Sequence, residues 1–156
     1  MGKEYLNPIA VAEQGGADFI SELPEISGLY GWKVYVFAGT DEGAAKLLRA
    51  KIQQGLKQCV VVAFTGTGEV NVVPRTSIKA TISVSVLSPG LLAEKSPRAT
   101  TDLASAIVQA LHGVQFGEPF IPGFPIRLAS WTQEADGDGK LCARLEFEAG
   151  IFLTNE

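Results

Sequence analysis

The sequence predicts a single α+β domain over residues 1–156, with a mainly antiparallel sheet, two helices packed on one face of that sheet and a C-terminal β-hairpin. Three observations carry this reading. Ile78, Ala80, Ile82, Val84 and Val86 alternate with Lys79, Thr81, Ser83 and Ser85, the period of a strand with one buried face. Two stretches, 41–57 and 101–112, repeat apolar residues at helical spacing. Short turns separate consecutive strand-like runs, which favours antiparallel pairing.

Residues 1–28 read as irregular, because Asn7-Pro8, Gln14-Gly15-Gly16 and Leu23-Pro24 interrupt any long element. Ile9, Val11, Phe19 and Ile20 are scattered anchors, so this segment is open to being an extended N-terminal arm on its own domain or on a neighbour. Trp32 to Phe37 is rich in aromatic and β-branched residues and reads as a strand ended by Gly39. The first helix is expected from Asp41 to Lys57. Thr40 or Asp41 caps it, and Ala45, Leu48, Ile52 and Leu56 form its apolar stripe. The neighbouring stripe of Lys46, Arg49, Gln53 and Lys57 reads as a solvated face.

Cys59 to Phe64 reads as a buried strand, and Thr65-Gly66-Thr67-Gly68 as a hairpin turn from which Val70 to Val73 returns. The alternating strand Ile78 to Val86 follows and stops at Ser88-Pro89-Gly90. A second helix is expected from Thr101 to His112, with Thr100 or Thr101 as cap. Leu103, Ile107, Ala110 and Leu111 form its buried stripe, and Gly113 is its C′ residue. Ile126 to Ala135 and Lys140 to Phe152 then form a hairpin across Asp136-Gly137-Asp138-Gly139.

Composition narrows the function classes. With 46% hydrophobic and 19% charged residues, wholesale disorder is excluded. The 13 basic and 17 acidic residues leave a net charge of −4, which argues against direct nucleic-acid recognition, because phosphate binding calls for a basic excess. No apolar run approaches the roughly 18 residues of a membrane span. The N-terminus lacks a basic region followed by an apolar one, so intracellular synthesis is the expectation.

No residue pattern calls for catalysis, a cofactor or a metal. Cys59 and Cys142 lie in strand-like segments and read as reduced thiols, with a structural disulfide as the alternative. His112 falls in the last turn of a helix, where a donor suits the unsatisfied carbonyls. No nucleophile-elbow motif surrounds any serine. Gly66-Thr67-Gly68 lacks the lysine and following helix of a phosphate loop. Asp136 and Asp138 resemble the start of a calcium loop, but position five is Lys140 and position twelve is Phe147, so turn propensity explains them. Glu146 and Glu148 lie on one exposed strand face.

The segment Gly113–Pro125, GVQFGEPFIPGFP, is the unusual one. It sets Phe116, Phe120, Ile121 and Phe124 among prolines and glycines, and an apolar loop must be covered by something. Either it folds over its own core, or these four residues form a subunit interface whose aromatics act as anchors.

The stretches AAKLLRAKIQQGLK, VVPRTSIKATISVSVLSP and TTDLASAIVQALHG, followed by the closing PIRLASW and LCARLEFEAGIF, resemble a known arrangement. Over residues 41–152 their order is similar to that of phage tail terminator and tail-completion proteins, including the Mu-type minor tail family. The resemblance implies a non-enzymatic structural protein of a virion, forming a homo-oligomeric ring, typically a hexamer. Such a ring sits at the end of the viral tail tube or at the head–tail connection. Its partners would be tail-tube and head-connector proteins, its place the phage tail or neck, and its virus assembly would occur in the host bacterial cytoplasm. No cofactor or membrane is implied. A small cytoplasmic binding or adaptor module without catalysis is the alternative, and oligomeric state separates the two.

Overall fold

The structure is a computed structural model, and it describes residues 7–24, 34–39, 46, 58–64, 70–72, 75–88, 99–135 and 141–154. In chain order its elements are α1 (Pro8–Ser21), β1 (Val34–Ala38), β2 (Gln58–Phe64), β3 (Val70–Asn71), β4 (Ser77–Ser88), α2 (Ala99–Leu111), β5 (Arg127–Ala135) and β6 (Leu141–Phe152). The six strands form one sheet in the order β1-β2-β4-β6-β5, with β3 also paired to β4. All pairs are antiparallel except β1 with β2, which run parallel. The α+β class, the mainly antiparallel sheet and the terminal hairpin are therefore as the sequence predicts.

β4 forms the centre. It pairs with β6 along its whole length, from Ser77↔Phe152 to Ser88↔Leu141. Its other side meets β2 over Ile82–Leu87 and β3 over Ser77–Ile78. Cross-strand partners share a face, so Val62, Val84 and Leu145 stack in one row and Phe64, Ile82 and Phe147 in the next. Both helices cover this face. From α1 come Ala12, Gly16, Ala17 and Ile20, and from α2 Leu103, Ala104, Ile107 and Leu111, all buried against these rows.

Helix α1 corrects the expectation of irregular chain over residues 1–28. Asn7-Pro8 does not break the chain there but starts the helix. Asn7 is an extended N-cap whose Oδ1 accepts the Ala10 N–H at 3.1 Å, and Pro8 occupies the first turn, where its missing N–H leaves no bond unmade. Gly15 and Gly16 lie inside the helix despite their low propensity. Gly16 is buried against the sheet, where a Cβ would stand in ordinary contact with Val62 Cγ1 at 3.6 Å. Tertiary contact outweighs propensity. The predicted helix Asp41–Lys57 lies outside the described residues except for Lys46, which is helical and exposed.

Three further expectations are corrected. The 65–69 segment does not lead into a hairpin with β2. β2 and β3 both pair antiparallel with β4 on the same side, so they run in one direction, and the chain reverses between Asn71 and Ser77. Residues 65–69 themselves lie outside the described residues. Helix α2 begins at Ala99, so neither Thr100 nor Thr101 is its N-cap. Thr101 Oγ1 instead accepts from Gln133 Nε2 of β5 at 3.2 Å, while Thr100 is buried. Finally, the second face of the sheet is not uniformly solvated. Lys79 is exposed there, but Ser83 and Ala63 are each only 3% exposed.

Gly113 follows α2 with φ 86°, the left-handed conformation expected of a C′ glycine. A one-residue irregularity separates Leu128 from Ser130 in β5, so that Arg127 and Leu128 stay in register with β6 on one side of it and Ser130–Ala135 on the other.

Candidate interaction surface around the 113–125 segment

The apolar segment after α2 is held by backbone hydrogen bonds to its own sheet. Gly113 N–H donates to Ile126 O at 2.7 Å, and Ile126 N–H returns to Val114 O at 3.0 Å. Further on, Ile121 N–H donates to Gly150 O at 3.0 Å and Phe152 N–H to Pro119 O at 2.8 Å, with a bridge between Phe120 and Ile151. β5 reaches β6 only as far as Glu148. Residues 119–121 thus take the place of β5 along the last residues of β6, satisfying backbone groups that would otherwise lie on an open edge. Gln115 Nε2 ties the segment internally, donating to Phe116 O at 3.1 Å and to Ile121 O at 3.0 Å.

The four residues singled out from sequence are brought together here but divided between the two sides of the sheet. Phe120 is 4% exposed and belongs to the core between sheet and helices. Phe116, half-buried, packs edge-on against Phe19 of α1 at 5.2 Å between ring centroids and lies 5.1 Å from Phe120. Ile121 and Phe124 sit over Gly150: a Cβ on that glycine would be 2.8 Å from Ile121 Cδ1 and 3.4 Å from Phe124 Cγ. Phe116 and Phe120 thus pack toward the core, while Ile121 and Phe124 lie on the other face of β6. The segment's remaining outward surface consists of parts of Phe116, Ile121 and Phe124 with exposed Pro122 and Gly123.

Arg75 fastens this region to both neighbouring segments, and no sequence motif marks it. Its Nη1 lies 3.0 Å from Glu118 Oε1, its Nε donates to Thr154 O at 2.6 Å, and its guanidinium stacks 4.0 Å over the Phe152 ring. An arginine two residues before a strand reads as solvated in one dimension. Only the fold brings Phe152 beneath it.

The other sequence candidates are placed as follows. His112 does not donate to helix carbonyls as expected. Its Nδ1 accepts the Leu128 N–H at 3.0 Å, because the chain turns back along α2 into β5. Cys59 and Cys142 both take positions opposite Leu87, on its two sides. Two strand spacings separate them by about 10 Å, beyond the reach of a disulfide, which removes that alternative. Gly66–Gly68 and Asp136–Gly139 lie outside the described residues. Glu148 pairs with Lys79 at 3.7 Å, both half in solvent.

Among the described residues no three His, Cys, Asp or Glu side chains come together as a metal site. The space between α1, α2 and the sheet is a void of about 10 Å³ lined by Gly16, Ile20, Val62, Leu111 and Phe147 among others, apolar throughout. It is at the lower limit for one water and offers that water no polar partner. No helix among the described residues is long and apolar enough to cross a membrane.

No protein-family model matches the sequence, and no curated protein matches it. Among solved structures, the chain is similar to one from the virion of the native gene transfer agent (GTA) particle. The two share 12% identity and a TM-score of 0.59, over 94% of this chain and 99% of that one. At such identity the likeness is one of fold.

Proposed function

We propose that the chain is an architectural, non-enzymatic subunit of a phage-like particle and acts within its virion. The observation that supports this most is the likeness in fold to a chain from the gene transfer agent virion, over 94% of this chain and 99% of that one. The finer reading is a tail terminator or completion protein. In that reading copies of the chain form a ring, a hexamer by expectation, at the tail-tube end or the head–tail junction, between tail-tube and connector proteins.

The test mixes the purified chain with a phage tail-tube protein and images the product by negative-stain electron microscopy. The expected result is ring-shaped density on one end of the tubes. A chain that stays strictly monomeric at high micromolar concentration, alone and with tube protein, refutes the tail reading.

A further inference from the structure

We propose that β5 is a self-docking edge, to which a second copy of this chain adds antiparallel about a two-fold axis passing through Trp131. One side of β5 is paired to β6, and no described strand pairs with the other. From Ala129 to Gln133 every residue is exposed, including Trp131 at 37%. Edges are normally blunted by lysine, proline or inward charge, and Ser130–Gln133 contains none of these. The irregularity at Leu128/Ser130 lies outside that run.

What selects a second copy over another partner is charge. The only charged residues of β5 are Arg127 and Glu134, near its two ends. Because Ala129 is the extra residue of the bulge, Arg127 falls opposite Glu148 and Glu134 opposite Cys142, positions on the same face of β6. Midway between those two positions is Leu145, and opposite Leu145 stands Trp131. A strand turned end over end about Trp131 therefore sets Arg127 of each copy opposite Glu134 of the other and Ser130 opposite Thr132, with the two Trp131 side chains adjoining at the axis. Opposite charges directly across a strand pair stabilise it and like charges oppose it. The pattern is complementary to itself. Without the bulge, Arg127 and Glu134 would fall on opposite faces and the match would be lost. Such a contact is isologous and closes at two chains, so it is separate from the head-to-tail contact that a ring requires.

The test is charge reversal on the full-length chain, read by sedimentation velocity over a range of concentrations, with circular dichroism to check folding. Arg127→Glu and Glu134→Arg each set two like-charged pairs across the axis and are expected to raise the dimer Kd by roughly tenfold. The double variant Arg127→Glu/Glu134→Arg restores opposite pairs and is expected to return the Kd to near its original value. Should a variant fail to fold, wild-type hydrogen exchange gives an independent reading. Outward-facing amides in Ser130–Gln133 are expected to slow as concentration rises. A wild-type chain with no two-fold association, association that ignores both single variants, or exchange at these amides that ignores concentration overturns the proposal. Ring formation with tail-tube protein has its own readout and can fail or succeed independently.

Discussion

The carboxylate of Glu13, on α1, accepts the backbone N–H of Phe64, the last residue of β2. Val62 turns its peptide groups toward β1, where its carbonyl takes the Gly39 N–H at 2.9 Å. Phe64, two residues on, points its N–H to the same side, but β1 has already ended at Ala38. Glu13 supplies the acceptor that the missing strand residue would have provided. This accounts for a carboxylate that is 9% exposed in an otherwise apolar helix face.

Replacing Glu13 separates the hydrogen bond from the packing. Glu13→Ala leaves a strand-end N–H without its acceptor and is expected to destabilise the fold by about 2–3 kcal/mol. Glu13→Gln keeps an acceptor oxygen at similar volume and is expected to cost about 1 kcal/mol. Urea unfolding of both variants measures the difference. Equal losses would mean that side-chain volume, and not the hydrogen bond, is what matters.

The phenylalanines of the 113–125 segment are expected to behave unequally. Phe120→Ala removes a ring from the core and should cost about 3–5 kcal/mol. Phe124→Ala, at a half-buried position, should cost about 1–2 kcal/mol. Any search for an oligomer contact in this loop must therefore vary Phe124 and leave Phe120 in place. Thermal melts of the two single variants settle the order, and a more damaging Phe124→Ala would contradict the burial described.

Gly150 lets the loop lie flat on β6. A methyl group there meets Ile121 Cδ1 at 2.8 Å and Ile121 Cγ1 and Phe124 Cγ each at 3.4 Å, so the side chains lying on it must shift. Gly150→Ala is expected to cost about 1 kcal/mol. Hydrogen exchange at the Ile121 and Phe152 amides, which bond across this junction, should accelerate while β4 amides stay protected. Unchanged exchange at those two amides would mean that the loop does not depend on the glycine.

Both faces of β4 resist charge, for different reasons. Ile82→Asp places a carboxylate among Phe64, Phe147 and the helices and should cost more than about 4 kcal/mol. Ser83→Asp is also expected to be costly, roughly 2–4 kcal/mol, because Ser83 is buried and stands opposite Glu146. Ser83→Ala should stay within about 0.5 kcal/mol of the parent. A tolerated Ser83→Asp would show that water reaches this face at its centre.

Local periodicity alone determined much of this protein. The alternation in Ile78–Val86, the stripe of Leu103, Ile107 and Leu111 and the two arms of the hairpin are each legible because side-chain direction repeats every two or 3.6 residues. Those patterns mark which side of an element is apolar, and the folded chain buries those sides. They carry no information on which element lies alongside, or in which direction. Only the tertiary structure decided that β1 runs parallel to β2, that Val70–Asn71 extends β4's partner instead of folding back on it, and that β4 is central and not an edge. Asn7-Pro8 carried a helix-start signal, but the same dipeptide also ends elements. Which meaning applied depended on the buried side of α1, with Ala12, Gly16, Ala17 and Ile20, finding the sheet to pack against. Phe120 and Phe124 look alike in one dimension. They part because the loop crosses the rim of the sheet between them, with one ring going to the core side and the other onto Gly150. Arg127, Trp131 and Glu134 show the same dependence. Their identities lie in the sequence, but a single bulge residue sets which of them share a face.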